Sequence, residues 1–449
     1  MKQSIIILIA SLSLLSCKKY LDAKPDKSVA VPSTLQDIQA LLDNTFGLNT
    51  SYPSLCELAA DDYYLTYTDW MGLTNENDRL NYIWDPHAEY PNNWSGSYKI
   101  VLYANTILDN LEKIGFTESN RVQWNNYKGQ ALFHRANIFF HLAQLFCKPW
   151  DSNSNNNDPG IPLKLTAAID EPIVRPTVAQ TYERVIADLQ TALPMLQIDN
   201  TVKTRPNKAA AYGLMARIYL AMQQYDLAGR YADSCLQLHN LLIDYNTISS
   251  SAAISFAQFN NEVIFHSASP GSSLLNASRC RIDSFLFAAY QTNDLRRSVF
   301  FKNNNNGSYC FKGSYLGTMN NNFFSGIATD EIQLIKAECA ARTNDPAAAM
   351  TALNTLMSKR WKTGTFVPFT ASTADEALTL VLNERRKELI FRGLRWQDLR
   401  RLNKDARFQK TLIRQLNGQL YQLPPADLRY VLLIPAEIIA LSGIQQNPR

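Results

Sequence analysis

The chain has 449 residues, of which 46% are hydrophobic and 19% charged, enough for one large domain or two average ones. Its 44 Lys and Arg residues nearly balance its 40 Asp and Glu residues, which leaves a formal net charge of +4. This balance argues against nucleic-acid binding, which usually shows as a basic stripe or cluster. No apolar run reaches the roughly 20 residues that a transmembrane helix needs.

The N-terminus carries a short export signal that ends in a cysteine. Lys2 precedes an apolar run from Ile5 to Leu15, and Leu14-Leu15-Ser16-Cys17 has the form of a lipobox. This run is too short to span a bilayer but suits a cleavable signal peptide. The alternative is an ordinary signal peptide that happens to end in cysteine.

The lipobox predicts how the chain is divided. We expect a lipoprotein signal peptide over residues 1–16, lipidation of Cys17 and a lipid-anchored linker over residues 17–30. Residues 31–449 then form a single domain that is tethered to a membrane outside the cytoplasm.

Residues 46–103 form the first candidate binding segment, because they hold twelve aromatic residues among Asp, Asn and Arg. A flat ring can cover the C–H face of a sugar, while neighbouring polar groups bind its hydroxyls. The alternative is that the rings are core, and we expect this for roughly two thirds of them, with Tyr98 and Tyr103 first. We expect exposure for Tyr67, Trp70 and Trp84. The candidate ligand-binding residues here are Tyr67, Trp70, Asn77, Arg79, Trp84 and Trp94.

Helical patterns dominate the rest of the chain. Capping boxes at Thr177 and Thr373, each with Gln or Glu three residues later, predict helix starts. Asn-rich tracts over 152–158, 303–307 and 320–322 predict loops, because Asn tolerates left-handed backbone. Strands do not alternate with helices, so a parallel α/β sheet is not expected. We predict an all-α fold with long irregular loops rich in aromatic residues and Asn.

Two segments share the spacing of a tetratricopeptide helical hairpin. Small or apolar residues recur at offsets of 12, 4 and 3, as Ala216, Ala228, Ala232 and Cys235, and as Ala337, Ala349, Leu353 and Leu356. Small residues twelve apart allow two antiparallel helices to approach closely. Because about three such units are needed for stability, we expect the helix around 132–143 and the helix after Thr373 to be further members.

A second aromatic region between these repeats is the other candidate binding segment. Its rings are Tyr309, Phe311, Tyr315, Phe323 and Phe324, among Asn and Gly residues. Tyr309 and Tyr315 are its candidate ligand-binding residues. An aromatic loop folded against the scaffold is an equally open interpretation. Nearby, Cys280 and Cys310 lie in loop-like sequence, and whether they pair is left open.

No catalytic or metal-binding motif is found in the sequence. His134 and His141 share a predicted helix face, but no third ligand stands near them. The adjacent Asp61 and Asp62 do not establish the separation across a cleft that glycosidase carboxylates need. Nucleophile-elbow, phosphate-loop and dinucleotide motifs are missing. We predict no metal, no cofactor and no enzymatic activity.

The charged stretch that starts at Glu384 is interpreted as structural. Helical spacing predicts that Glu384 pairs with Lys387 and Glu388 with Arg392. The residues around Trp396 are expected to form a packing and hydrogen-bond cluster that holds the last repeat.

Several segments, in chain order, together resemble the SusD/RagB family of outer-membrane lipoproteins. The most specific is the stretch ERRKEL followed by RGLRWQDLRR, over residues 384–401. The others are CKKYLD (17–22), WSGSY (94–98), GIPL (160–163), RPTV (175–178), RPNKAA (205–210), IPAEI (434–438) and QNP (446–448). The chain departs from the family in two ways: Ala328-Thr329 stands where an arginine is usual, and the chain is short.

The resemblance implies an all-α, tetratricopeptide-like lipoprotein that lids a SusC-like, TonB-dependent outer-membrane barrel transporter. Such proteins capture oligosaccharide, or in some members peptide, for import, and they catalyse nothing. We therefore expect a nutrient-binding lipoprotein of the outer membrane, facing the exterior. Two alternatives remain open: a surface glycan hydrolase and a pure protein-interaction scaffold.

Overall fold

Helices dominate the computed structural model of the chain, which describes residues 32–168, 170–199, 201–318 and 321–449. Helices α1 to α5 span Leu35–Leu42, Thr45–Leu48, Leu55–Leu58, Tyr67–Met71 and Glu76–Tyr82. Helices α6 to α10 span Pro91–Ile114, Arg121–Phe146, Val178–Ala192, Lys208–Ala221 and Tyr225–Leu238. Helices α11 to α17 span Ser284–Ala288, Arg296–Val299, Thr329–Arg342, Pro346–Met357, Ala374–Glu388, Arg395–Leu402 and Ala436–Ser442. The predicted signal peptide, Cys17 and the linker lie outside the described residues.

The strands are short and pair as antiparallel two-stranded sheets. In chain order, β1 to β10 span Tyr63–Tyr64, Val263–Phe265, Ala268–Ser269, Arg281–Ile282, Phe301–Asn303, Tyr309–Phe311, Phe323–Phe324, Ile327–Ala328, Leu412–Leu416 and Gln419–Leu423. The pairs are β1–β4, β2–β8, β3–β7, β5–β6 and β9–β10. Within the described residues no two strands pair in parallel. The helical fold class predicted from the sequence is confirmed.

Local sequence signals start several helices where they were expected. Thr177 begins α8 and Thr373 begins α15, each through a complete capping box with the residue three positions later. In both, the threonine hydroxyl accepts a backbone N–H that the helix cannot satisfy itself. Asn305 and Gly307 adopt left-handed backbone in the Asn-rich loop between β5 and β6, with φ of 59° and 82°. Both capping-box predictions are confirmed.

Paired helices pack side by side to form the scaffold. Helix α9 packs against α10, α10 against α13, and α13 against α14 and α15, while α7 packs between α6 and α8. The eight residues at the predicted helical-hairpin spacing are all buried, namely Ala216, Ala228, Ala232, Cys235, Ala337, Ala349, Leu353 and Leu356. Small side chains at these seams let the helices approach closely, as the spacing predicts. No helix in the described part of the chain has the length and apolar character needed to cross a bilayer.

Buried ion pairs join the repeats near the C-terminal part of the scaffold. Glu384 binds Lys387 at 2.5 Å, as predicted. The predicted pair of Glu388 with Arg392 is wrong. Helix α15 ends at Glu388, so helical spacing does not extend to Arg392. Glu388 instead binds Arg296 at 3.0 Å and Arg360 at 2.7 Å.

The cluster around Trp396 packs as expected. The Trp396 side chain is fully buried and lies 4.9 Å, between ring centroids, from Tyr430. Next to it, Asp398 accepts hydrogen bonds from Arg385 and Arg401, both at 2.8 Å. These contacts fix α16 against its neighbours.

Two buried histidines make stability depend on pH. Burial lowers the pKa of His134 and His141 to about 3 from the ordinary 6.5. Between these values the unfolded imidazoles bind protons that the folded ones do not. The free energy of unfolding therefore falls as the pH falls through this window, by up to about 1.4 kcal/mol per pH unit for each histidine.

We expect His134→Leu to flatten this pH dependence in urea unfolding measured at pH values between about 4 and 6.5. His87 is exposed, so His87→Gln serves as the control and should leave the slope unchanged. Because His141 remains, part of the slope should persist; a slope as steep as that of the wild type in His134→Leu would mean that the folded protein protonates His134.

Candidate functional site

Three of the candidate ligand-binding aromatics lie in the core. Trp84 is only 5% exposed, and its indole N–H donates to the Ala59 carbonyl at 2.9 Å. Trp94 packs edge-on against Phe146, and Tyr315 donates its hydroxyl to Glu262 at 2.6 Å. The predicted exposure of Trp84 is wrong, and Trp94 and Tyr315 are also too deep to meet a ligand at the surface. Each ring fills space between elements that are distant in sequence, which spacing alone cannot reveal.

The short helix α4 carries the exposed rings of the first candidate segment. None of its residues is buried, and Thr66 caps its start. Tyr67 is 43% exposed and its ring centroid lies 6.0 Å from that of Trp70. Trp70 is half-buried, and its indole N–H donates to the Arg79 carbonyl at 3.1 Å. Tyr67 and Trp70 form an accessible aromatic surface, which we call the α4 platform.

Arg79 holds the loop behind this platform through its side chain, whereas Asn77 contributes its backbone carbonyl to a contact within α5. The Arg79 guanidinium donates to the Leu73 carbonyl, and the Asn77 carbonyl accepts a hydrogen bond from the Asn81 side chain at 2.8 Å. Both side chains are half-buried beside the platform. Their contact with a ligand remains a prediction.

An open cleft lies beside the β5–β6 hairpin. It has a volume of about 670 Å³. Its lining residues are 250–253, Phe287 of α11, Thr292, Asp294, Leu295, 297–298, 301–303, Tyr309 and Lys312. We call it the hairpin cleft. Its volume is within the 300–1,000 Å³ typical of small-molecule sites.

Stacked aromatic rings form one wall of the hairpin cleft. The rings of Phe287 and Tyr309 stack with centroids 3.6 Å apart and planes 16° from parallel. The guanidinium of Arg297 lies 4.9 Å from the centre of the Phe287 ring. Phe285, which is on α11 with Phe287, is 84% exposed. Exposed and half-exposed aromatic rings of this kind are available to cover an apolar sugar face.

Arg281 joins the α4 platform to a groove that shares Lys302 and Asn303 with the hairpin cleft. Its guanidinium donates to the Asp69 carboxylate of α4, and its strand β4 pairs with β1 next to the platform. Burial tends to raise the pKa of Asp69, but hydrogen bonds from Thr66 and Arg281 outweigh it, so the pKa is lowered and the carboxylate stays charged. Arg281 also lines a groove of about 420 Å³ under the Asn-rich loop 303–306.

A further groove extends this surface toward α5. It has a volume of about 430 Å³ and is lined by residues 271–273, Asn276, Arg279, Asn321 and Asn322. The hydroxyl of Ser273 donates to the buried carboxylate of Asp78 in α5, which anchors the groove floor. The α4 platform, the hairpin cleft and these two grooves together form what we call the hairpin face.

The sequence alone did not identify several residues of the hairpin face. Phe287 and Arg297, which line the hairpin cleft, occur in short apolar or charged stretches that look like ordinary core or helix sequence. Tyr309, which was predicted, does line the cleft, half-exposed. Cys280 and Cys310 are buried free thiols, and burial raises the pKa of both. In the described part of the chain, no group of three or more His, Cys, Asp or Glu is placed to hold a metal ion.

The arrangement of stacked helical hairpins places the protein in a class of known structures. The chain matches a SusD superfamily protein from Bacteroides thetaiotaomicron at 23% identity and a TM-score of 0.75. The match covers 93% of this chain and 100% of the other. The surface glycan-binding protein A from Bacteroides uniformis matches with a TM-score of 0.72 and 17% identity, over 92% of this chain and 99% of the other. These likenesses define the fold.

Sequence comparison identifies the family. A family model described as starch-binding and associating with the outer membrane matches residues 19–220, and the SusD family model matches residues 299–431. A SusD-like protein of Formosa agariphila is 30% identical over 140 residues, which are 31% of this chain and a quarter of that protein's length. The chain belongs to the SusD/RagB family, as its motifs indicate.

Proposed function

We propose that this protein is an outer-membrane lipoprotein that captures oligosaccharides on its hairpin face and delivers them to a SusC-like, TonB-dependent transporter. Residues 1–16 would be the signal peptide, Cys17 the lipid anchor, residues 17–30 the linker and residues 31–449 a single binding domain. The proposal rests on family membership and on the stacked Phe287–Tyr309 pair in an open cleft.

The chemistry of the hairpin face suits a sugar ligand. Aromatic rings at the α4 platform and in the hairpin cleft lie beside the amides and hydroxyls of the Asn-rich loop 303–306 and the 271–276 segment. Rings cover the C–H faces of a sugar, and amides exchange hydrogen bonds with its hydroxyls. Tyr67, Trp70, Asn77, Arg79 and Tyr309 remain the proposed contacts from the original candidates.

The charges of the hairpin cleft favour binding over hydrolysis. Glycoside hydrolases use two carboxyl groups about 5–9.5 Å apart across the scissile bond. Among the described residues that line the cleft, Asp294 is the one carboxylate, and it is fully buried and bound to Arg296 at 2.7 Å. We therefore expect capture without turnover.

Calorimetric titration against oligosaccharides and peptides tests the proposal, with product analysis of the same samples afterwards. We expect oligosaccharide binding without cleavage. We also expect Tyr309→Ala to weaken binding about tenfold, or about 1.4 kcal/mol, because the ligand loses the ring it stacks on. Tyr212→Ala removes a half-buried tyrosine of α9, which is outside the hairpin face, and serves as the control.

Thermal melting of both variants checks that they remain folded. Equal affinities for wild type and Tyr309→Ala would remove the hairpin cleft from the binding site. Cleavage of the ligand would support the hydrolase instead, and binding of peptides alone would make this a peptide-capturing member.

A further inference from the structure

The hairpin cleft carries an excess of positive charge. Arg297, Lys302 and Lys312 all line it. Arg279 and Arg281 each line one of the two adjoining grooves, and Arg281 is paired with the Asp69 carboxylate. Since the whole chain has a net charge of only +4, this is a local concentration of charge rather than a general property of the surface.

The acidic group in the cleft does not balance this charge. Asp294 is fully buried and its carboxylate is bound to Arg296, with Lys387 a further 4.0 Å contact. By contrast, among the described residues no carboxylate oxygen lies within 4.0 Å of a charged nitrogen of Arg279, Arg297 or Lys302. Arg296 and Arg297 are adjacent in sequence, yet among the described residues the first has three carboxylate partners and the second has no carboxylate within 4.0 Å.

Lys312 is held at the base of the cleft in a fixed position. Its ammonium group donates to the carbonyls of Ser250 at 2.6 Å and Ala252 at 3.0 Å. An ammonium group has three protons, so two carbonyls leave one donor unused. Burial lowers the pKa of Lys312, and the nearby Lys302 lowers it further. A bound anion would stabilise the charged ammonium form against both effects.

These groups suit an anion on a carbohydrate ring. A guanidinium presents a planar fork that matches a carboxylate or sulfate group, and such charge-assisted hydrogen bonds are about twice as strong as neutral ones. The stacked Phe287 and Tyr309 rings lie within reach of the same ligand, since Arg297 sits over Phe287. A cleft lined by one sign of charge also raises the local concentration of oppositely charged ligands.

We infer that the hairpin cleft selects anionic oligosaccharides, whose sugars carry uronate carboxylates or sulfate esters, with Arg297 and Lys302 as the residues that determine this selectivity. The inference rests on the proposed function and names its ligand class. Neutral oligosaccharides would use the same rings but would leave these cations without a partner.

Titration of the purified protein with four probes tests the inference: a neutral malto-oligosaccharide, an oligogalacturonate, a sulfated galactan oligosaccharide and a short poly-glutamate peptide. We expect at least one acidic oligosaccharide to bind at least tenfold more tightly than the neutral one. Because the attraction is electrostatic, added NaCl should reduce this preference. The uronate and sulfate arms tell the two kinds of anion apart.

The double variant R297Q/K302Q should reduce the preference for acidic over neutral oligosaccharide at least tenfold, whereas R297K/K302R, which keeps both charges, should retain most of it. Arg230→Gln removes an exposed charge of α10 outside the cleft and should change neither affinity. Thermal melting checks that each variant is folded.

Equal affinity for neutral and acidic oligosaccharides, or a preference that survives in R297Q/K302Q, would overturn the inference and leave the proposed function standing. Failure of all the oligosaccharides to bind would overturn both. Binding of poly-glutamate as tightly as the acidic sugars would overturn the assignment to carbohydrate in favour of an anionic peptide.

Discussion

Arg296→Met is expected to lower the free energy of unfolding by about 3–5 kcal/mol. The Arg296 guanidinium is fully buried and binds Asp294 at 2.7 Å and Glu388 at 3.0 Å, together with Glu384. Methionine preserves much of the side-chain volume but leaves these carboxylates buried with part of their positive charge removed. The weakened contact is the one between the cleft segment, which contains Arg296, and helix α15, which carries Glu384 and Glu388.

Urea unfolding followed by circular dichroism measures this change. Arg407→Met provides a matched control, since Arg407 binds Asp405 on the surface with about half of its side chain accessible. Exposed pairs are worth about 0–1 kcal/mol, so the control should stay near wild type. A loss of less than about 1 kcal/mol in Arg296→Met would mean that the buried carboxylates accept protons or reach other cations.

Trp84→Ala should also be strongly destabilising, by about 3–5 kcal/mol, because a large buried ring is replaced by a cavity. The ring is surrounded by core, and the Arg414 guanidinium lies 4.9 Å from its centre. The indole hydrogen bond to the Ala59 carbonyl would be lost as well. Trp84→Phe keeps much of the ring and should cost less.

Chemical denaturation of Trp84→Ala and Tyr67→Ala gives the comparison. Tyr67 lies exposed on the α4 platform, so its removal should change the free energy of unfolding by about 0.5 kcal/mol or less. At temperatures where both variants are folded, Trp84→Ala should bind oligosaccharide as the wild type does. A stable Trp84→Ala with weakened binding would return Trp84 to the ligand site and contradict its placement in the core.

Patterns between residues a few positions apart were sufficient to predict much of the helical scaffold. The capping boxes at Thr177 and Thr373 depend on residues three positions apart, and the helical-hairpin spacing depends on one face of a helix. The Glu384–Lys387 pair also lies within one helix. The Glu388 partner was mispredicted because the helix ends there and the real partners, Arg296 and Arg360, come from elsewhere in the chain.

The hairpin face was only partly accessible to prediction. Tyr67 and Tyr309 were selected from the aromatic enrichment of their segments, and both have exposed or half-exposed rings. The same enrichment also pointed to Trp84, Trp94 and Tyr315, because composition does not separate a ring that packs a loop onto the scaffold from one that faces solvent.

By itself, the sequence determined the family, the helical scaffold and the position of its repeats, since these depend on ordered motifs and on spacing within single helices. Only the tertiary structure decided which aromatic rings are accessible, and that Arg296 binds three carboxylates while its neighbour Arg297 has none within 4.0 Å in the described part of the chain. The burial of these rings and the pairing of Arg296 with Glu384 and Glu388 depend on contacts between segments tens to hundreds of residues apart, and no local pattern in the chain specifies those contacts.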